Sequence, residues 1–212
     1  MKLQSFLFSL LVLSMFYSQC LSASSCKMAN WWGTFDHQGW STCDSSAEYI
    51  KGLWRNHNYG DHEISLLEEA KCCSAPTPEE NTPSICQDTD WSSVLDGIHV
   101  WAVCPDGYFL QGLWRDEGKG LVSQIDKARC CKLNTIIDEY DNCYNENIWG
   151  SFDHYGLSEC KKDGYYVAGI YKSNCDKIYC IEELKCCSML VGCKGKKRRR
   201  SQGTRLKHSK IK

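Results

Sequence analysis

Three places in this chain set an aromatic ring directly beside a cation: Trp54-Arg55, Trp114-Arg115 and Tyr171-Lys172. Side chains alternate across a strand, so at each place one member faces the core and the other faces out. The economical arrangement buries the ring and solvates the cation. The arrangement that does chemistry presents ring and donor three times to a sugar or a sulfate, where weak contacts on one chain gain by avidity. Asp36-His37, Asp96 and Asp153-His154, each close to a glycine, are the next candidates. An Asp at a tight turn usually bonds its own backbone. One carboxylate per turn also falls short of the six or more oxygens that calcium takes. No Ser, His or Cys falls into a nucleophile pattern, so the residues point to binding rather than catalysis, with no metal and no cofactor.

Sixteen cysteines are the remaining reactive groups. Cys-x-x-Cys ligand pairs are missing, which argues against zinc. In an exported chain such a count means disulfides. Twelve of them form three sets of four: Cys26, Cys43, Cys72, Cys73; Cys86, Cys104, Cys130, Cys131; and Cys143, Cys160, Cys186, Cys187. Cys175 and Cys180 make an extra local pair, Cys193 follows alone, and Cys20 is expected to leave with a signal peptide. Adjacent cysteines cannot readily bond each other. The middle cysteine of each set should therefore bond the first of its closing pair, giving Cys43–Cys72, Cys104–Cys130 and Cys160–Cys186. The second of each pair then joins either the next unit (Cys73–Cys86, Cys131–Cys143, Cys187–Cys193) or its own (Cys26–Cys73, Cys86–Cys131, Cys143–Cys187). The first scheme has the shorter loops and is preferred. Each scheme leaves one terminal thiol, Cys26 or Cys193, which would suit a disulfide-linked dimer.

Export is expected from the N-terminus, where Lys2 precedes an apolar run and small residues follow at Ser22, Ala23 and Ser24. That is the pattern of a signal peptide cleaved after Ala23, and no later segment is long and apolar enough to be a transmembrane segment. The net charge of −1 hides a division. Residues 194–212 hold ten cations and no acid, whereas residues 24–193 hold fourteen cations against twenty-six acids, or 14 − 26 = −12. Within the basic tail, Lys197, Arg198, Arg199 and Arg200 read as a processing site for a secretory protease, or as a polyanion-binding stretch. In an exported chain the tail does not imply nucleic acid.

What positions these residues is an internal repeat. Gly52, Gly112 and Gly169 are 60 and then 57 residues apart, and the cysteine pairs starting at Cys72, Cys130 and Cys186 are 58 and then 56 apart. Fixed phase of this kind is a repeat signature. Within each unit a cysteine leads to a tryptophan (Trp32, Trp91, Trp149), then an Asp-rich turn, a short segment to the middle cysteine, the Gly-Leu-Trp-Arg segment, a polar loop and the cysteine pair. The segments are short, aromatic and β-branched, and Gly, Asp and Asn bound them, so they read as strands. Ile64 to Ala70 also fits a helical turn. By alternation Tyr108, Leu110, Gly112 and Trp114 share one face, with Phe109, Gln111, Leu113 and Arg115 on the other. The expected fold is all-β and disulfide-rich, with four strands in each of three repeats and a pseudo-three-fold, β-trefoil-like arrangement. Its expected parts are a signal peptide (1–23), repeat 1 (24–75), a linker (76–85), repeat 2 (86–132), a linker (133–142), repeat 3 (143–193) and the tail (194–212).

Pro105-Asp106-Gly107-Tyr108-Phe109-Leu110-Gln111-Gly112-Leu113, bracketed by Trp101, Cys104 and Cys130-Cys131, distantly resembles the dermatopontin family of secreted extracellular-matrix proteins. The resemblance implies a secreted matrix or carbohydrate-binding role whose partner is an extracellular polysaccharide, a matrix protein or a mineral surface. A secreted effector, such as a venom or defence protein acting on a cell-surface target after tail processing, is the alternative.

Overall fold

The computed structural model describes residues 24–57, 63–76, 83–118 and 120–190. The expected signal peptide, Cys193 and the basic tail with Lys197, Arg198, Arg199 and Arg200 lie outside them. The described chain is mostly β. Its twelve strands are β1 (Cys26–Asn30), β2 (Gly39–Thr42), β3 (Glu48–Arg55), β4 (Leu67–Ser74), β5 (Ser84–Asp90), β6 (Val100–Val103), β7 (Phe109–Arg115), β8 (Ile125–Leu133), β9 (Tyr140–Asn147), β10 (Gly156–Glu159), β11 (Tyr165–Lys172) and β12 (Ile181–Met189). Ile64 to Ala70 divides between a 3-10 turn, Ile64–Leu66, and the start of β4.

The strands form three four-stranded antiparallel sheets, ordered β1-β4-β3-β10, β2-β7-β8-β5 and β6-β11-β12-β9. Each takes three strands from one repeat and its fourth from another. β2 leaves the first repeat for the sheet of the second, β6 leaves the second for the third, and β10 leaves the third for the first. The glycine common to the three repeats answers to this exchange. Opposite Gly52, Gly112 and Gly169 run Glu159, Thr42 and Val103 of the incoming strands. A Cβ on these glycines would come within 2.8, 2.7 and 2.7 Å of the carbonyl oxygens of Ser158, Ser41 and Ala102. Only a residue without a side chain admits the incoming backbone so closely.

Seven disulfides lie among the described residues, and each stays within one repeat. Cys43–Cys72, Cys104–Cys130 and Cys160–Cys186 tie the end of each exchanged segment back to the closing strand of its own repeat. Cys175–Cys180 is the local pair. The second members depart from the preferred scheme, because they bond Cys26–Cys73, Cys86–Cys131 and Cys143–Cys187. The reason is strand pairing. β1, β5 and β9 run beside the closing strands of their own repeats, with Cys26 opposite Cys73, Cys86 opposite Cys131 and Cys143 opposite Cys187. Closeness along the chain gives way to closeness across the sheet, and Cys26 is not a spare thiol.

Adjacent cysteines serve two cores because alternation sends them to opposite faces. Cys72, Cys130 and Cys186 enter the main cluster with Ile50, Leu53, Leu110, Leu113, Val167 and Ile170. Cys73, Cys131 and Cys187 enter a smaller one. At its centre Tyr49, Phe109 and Tyr166 meet edge to face, with ring centroids 5.7 to 5.8 Å apart. That geometry suits the ring quadrupole. The expected 133–142 linker is pinned to the same cluster: Ile136 is buried, and Tyr140 meets Phe109 edge to face while its hydroxyl proton is shared between the carbonyls of Tyr108 and Pro105.

Candidate functional site

The structure reverses the economical reading of the ring and cation pairs. Arg55, Arg115 and Lys172 are buried, while Trp54, Trp114 and Tyr171 are half-exposed. A β-bulge is the cause. Against β8, Leu110 pairs with Cys130 and Gly112 with Arg129, so Gln111 is an extra residue that resets the phase. Leu110 and Leu113 consequently share one core, and the Trp114 that simple alternation turned inward turns outward. Lys51 and Ala168 are the extra residues of β3 and β11.

Each buried cation finishes a helical turn in another repeat. Arg115 Nη1 donates to the Phe35 carbonyl at 2.6 Å, Arg55 Nη1 to that of Phe152 at 2.6 Å, and Lys172 Nζ to that of Leu95 at 2.5 Å. Carbonyls at the end of a helical turn lack an internal donor and carry partial negative charge, which a cation complements. Burial pulls the Arg55 guanidinium below its ordinary value, against the opposing pull of Asp153. Lys172 also pairs with Asp176 at 2.6 Å. Burial alone would raise the Asp176 carboxyl, but Lys172 and Ser123 hold it below the usual range. These three cations are buried and bond carbonyls of neighbouring repeats, so Arg55, Arg115 and Lys172 are not the solvated members of their pairs.

The rings remain. Trp40 of β2 meets Trp114 at 5.6 Å, and Trp101 of β6 meets Tyr171 at 5.3 Å. In the first sheet Leu157 lies opposite Trp54. Beside the first ring pair, the Arg129 guanidinium lies 4.3 Å from the centre of the Trp40 ring, and its Nε donates to Asp88 at 3.1 Å. Next to it opens a cleft of about 520 Å³, lined by Thr42, Asp44, Ser46, Gln87, Asp88, Gln111 and Arg129 and by two disulfide-bonded cysteines, Cys43 and Cys86. Gln111 is buried in the wall. Its amide nitrogen donates to the carbonyls of Cys43 at 2.9 Å and Ser45 at 3.3 Å, while Oε1 has no protein partner.

Of the leading tryptophans grouped from the sequence (Trp32, Trp91 and Trp149), Trp91 is one residue out of register with the other two. Trp31 and Trp91 are buried, as is Ile148 at the equivalent place, whereas Trp32 and Trp149 are both 59% exposed. The signal was present: Asn30-Trp31-Trp32-Gly33-Thr34-Phe35-Asp36-His37 matches Asn147-Ile148-Trp149-Gly150-Ser151-Phe152-Asp153-His154 and aligns Trp32 with Trp149. Trp40, Arg129 and Gln111 were not singled out at all. Among the described residues no group of three or more His, Cys, Asp or Glu is placed to hold a metal. No described helix is long and apolar enough to cross a membrane. No protein-family model, curated protein or solved structure matches the chain.

Proposed function

We propose that this is a secreted, non-enzymatic protein of the extracellular space that binds polysaccharide, a role of the kind its resemblance to dermatopontins implies. The observation that carries the reading is the pair of half-exposed ring couples, Trp40 with Trp114 and Trp101 with Tyr171, held on disulfide-stapled sheets. Rigid rings lose little entropy on stacking against a sugar's C–H face, and the intra-repeat disulfides suit an oxidising compartment. The cyclic exchange of β2, β6 and β10 supports a pseudo-three-fold, trefoil-like arrangement of the repeats, which would offer more than one such face to a polymer.

The experiment is a salt series of the purified protein on immobilised neutral and sulfated polysaccharides. Ring stacking should resist salt, whereas contacts made by residues 196–212 should weaken steeply with it. Replacing Trp114 and Tyr171 by Ala removes the salt-resistant part, and truncation after Gly195 removes only the salt-sensitive part. A full-length protein that binds no polysaccharide at low salt ends this reading in favour of a secreted effector acting on cells.

A further inference from the structure

We infer that the cleft on the second sheet is the binding site for one uncharged pyranose unit, and that the corresponding places on the other two sheets are closed to it. This rests on the polysaccharide reading above and assigns it a place and a ligand class.

The three sheets can be compared row by row, because the exchanged strand meets the repeat glycine in the same register each time. The rows are Glu159, Gly52, Lys71; Thr42, Gly112, Arg129; and Val103, Gly169, Lys185. Glycine leaves a gap between its neighbours' side chains. In the first sheet Lys71 Nζ bridges that gap to Glu159 at 2.7 Å, so both charges are spent on each other. In the third sheet the incoming residue is Val103, which also sets a methyl over its glycine but lacks the hydroxyl that Thr42 carries, and the bulge residue is Ala168 in place of Gln111. Only the second row pairs a short hydroxyl with a cation that it does not neutralise. Arg129 turns instead to Asp88 and stacks on Trp40, which fixes the guanidinium and leaves its remaining N–H groups for a ligand.

The second observation is Gln111. Its amide nitrogen is tethered to two carbonyls, which fixes the orientation of Oε1, a buried acceptor that no protein group satisfies. An acceptor sealed from water and from protein donors carries a cost, which a ligand hydroxyl would remove once the Gln111 side chain turns toward the cleft. Donor and acceptor side by side, Arg129 with Asp88 and Thr42 with Gln111, are what vicinal hydroxyl groups require, since each hydroxyl both donates and accepts. Of the two lining carboxylates, Asp88 pairs with Arg129 and Asp44 with Lys27 at 3.0 Å, so the charges at the cleft offset one another. That balance disfavours a sulfated or carboxylated sugar and favours a neutral one. The volume falls within the range of roughly 300–1,000 Å³ found for small-ligand clefts.

Soluble neutral oligosaccharides of glucose, mannose and N-acetylglucosamine, beside a heparin oligosaccharide, are the probes, with binding to the full chain read by tryptophan fluorescence and by ligand-observed NMR. Thr42→Glu gives Arg129 the partner that Lys71 has in Glu159, and it should weaken neutral-sugar binding at least tenfold without lowering the melting temperature. Gln111→Ala, which copies the third repeat, should also weaken binding and serves if Thr42→Glu melts early. Glu159→Thr, on the first sheet, should leave affinity unchanged. Neutral-sugar binding that survives both Thr42→Glu and Gln111→Ala overturns the placement alone. Binding of the heparin fragment only overturns the ligand class, and no binding to any probe overturns the polysaccharide reading with it.

Discussion

A cation taken out of water must recover its hydration from fixed partners, and at Arg55, Arg115 and Lys172 these include a carbonyl at the end of a helical turn, joined at Lys172 by the Asp176 carboxylate. Truncating such a residue removes packed methylenes and orphans the acceptor together. Arg115→Ala is therefore expected to lower stability by about 2–4 kcal/mol in chemical denaturation. Trp114→Ala, which removes a half-exposed ring, should cost less, and the reverse order would mean that the ring is the buried member after all. The aromatic trio makes a second residue-scale prediction. Burial pushes the hydroxyls of Tyr49 and Tyr166 up to about 12 from an ordinary value of 10.0, with Ser84 opposing the rise at Tyr49. A raised folded-state value means that the fold favours the neutral phenol. The stabilisation is whole below pH 10 and is lost as pH rises through about 12. Burial raises the Tyr140 hydroxyl as well, so tyrosinate absorbance should show at least three rings that ionise late and together with loss of the near-ultraviolet dichroism. Early, independent ionisation of every tyrosine would count against the trio.

At the scale of the elements, the repeat glycines gauge the strand exchange. Gly112→Ala and Gly52→Ala each drive a Cβ into the backbone of the incoming strand, at 2.7 and 2.8 Å from a carbonyl oxygen. Each should cost roughly 1–3 kcal/mol as an overpacking change. Gly33→Ala and Gly150→Ala meet nothing within 4 Å and should be near neutral; equal effects at all four positions would refute the close approach. This glycine also shows what was legible in the sequence. Its recurrence announced three units of four strands, and the bar on bonding adjacent cysteines directed Cys43 to Cys72, with its two counterparts. Its cause was hidden, because the strand that needs the space belongs to another repeat. The bulges at Lys51, Gln111 and Ala168 were hidden too, since an extra residue in a ladder has no composition of its own. That one unread residue inverted the faces of Trp114 and Arg115, and with them the candidate site. Leading-strand pairing was equally silent, so the preferred bonds for Cys73, Cys131 and Cys187 were the local ones. The register of Trp32 with Trp149, by contrast, was written in the shared Asn, Gly, Phe-Asp-His frame.

Across the whole molecule, covalent and non-covalent links divide the labour. All seven disulfides among the described residues close within a repeat. Between repeats stand the exchanged strands, the buried cations and the aromatic trio. The exchange closes on itself, so the first repeat is gripped twice: it lends β2 to the second and receives β10 from the third. A protease site engineered into residues 77–82, between the first and second repeats, separates these contributions. After cleavage the two fragments should still elute as one species under native conditions. Antiparallel pairing on both sides and the core beneath them do not depend on that peptide link. In denaturant without reductant the fragments should part, since no described disulfide joins them, and each should keep its own bonds intact. On dilution they should find one another again, with a concentration dependence that the uncut chain lacks, because the cut turns an intramolecular step into a bimolecular one. Fragments that fall apart in native buffer would show the exchange to be too weak to close the ring. Fragments that stay joined in denaturant until reduced would show a covalent bridge between repeats.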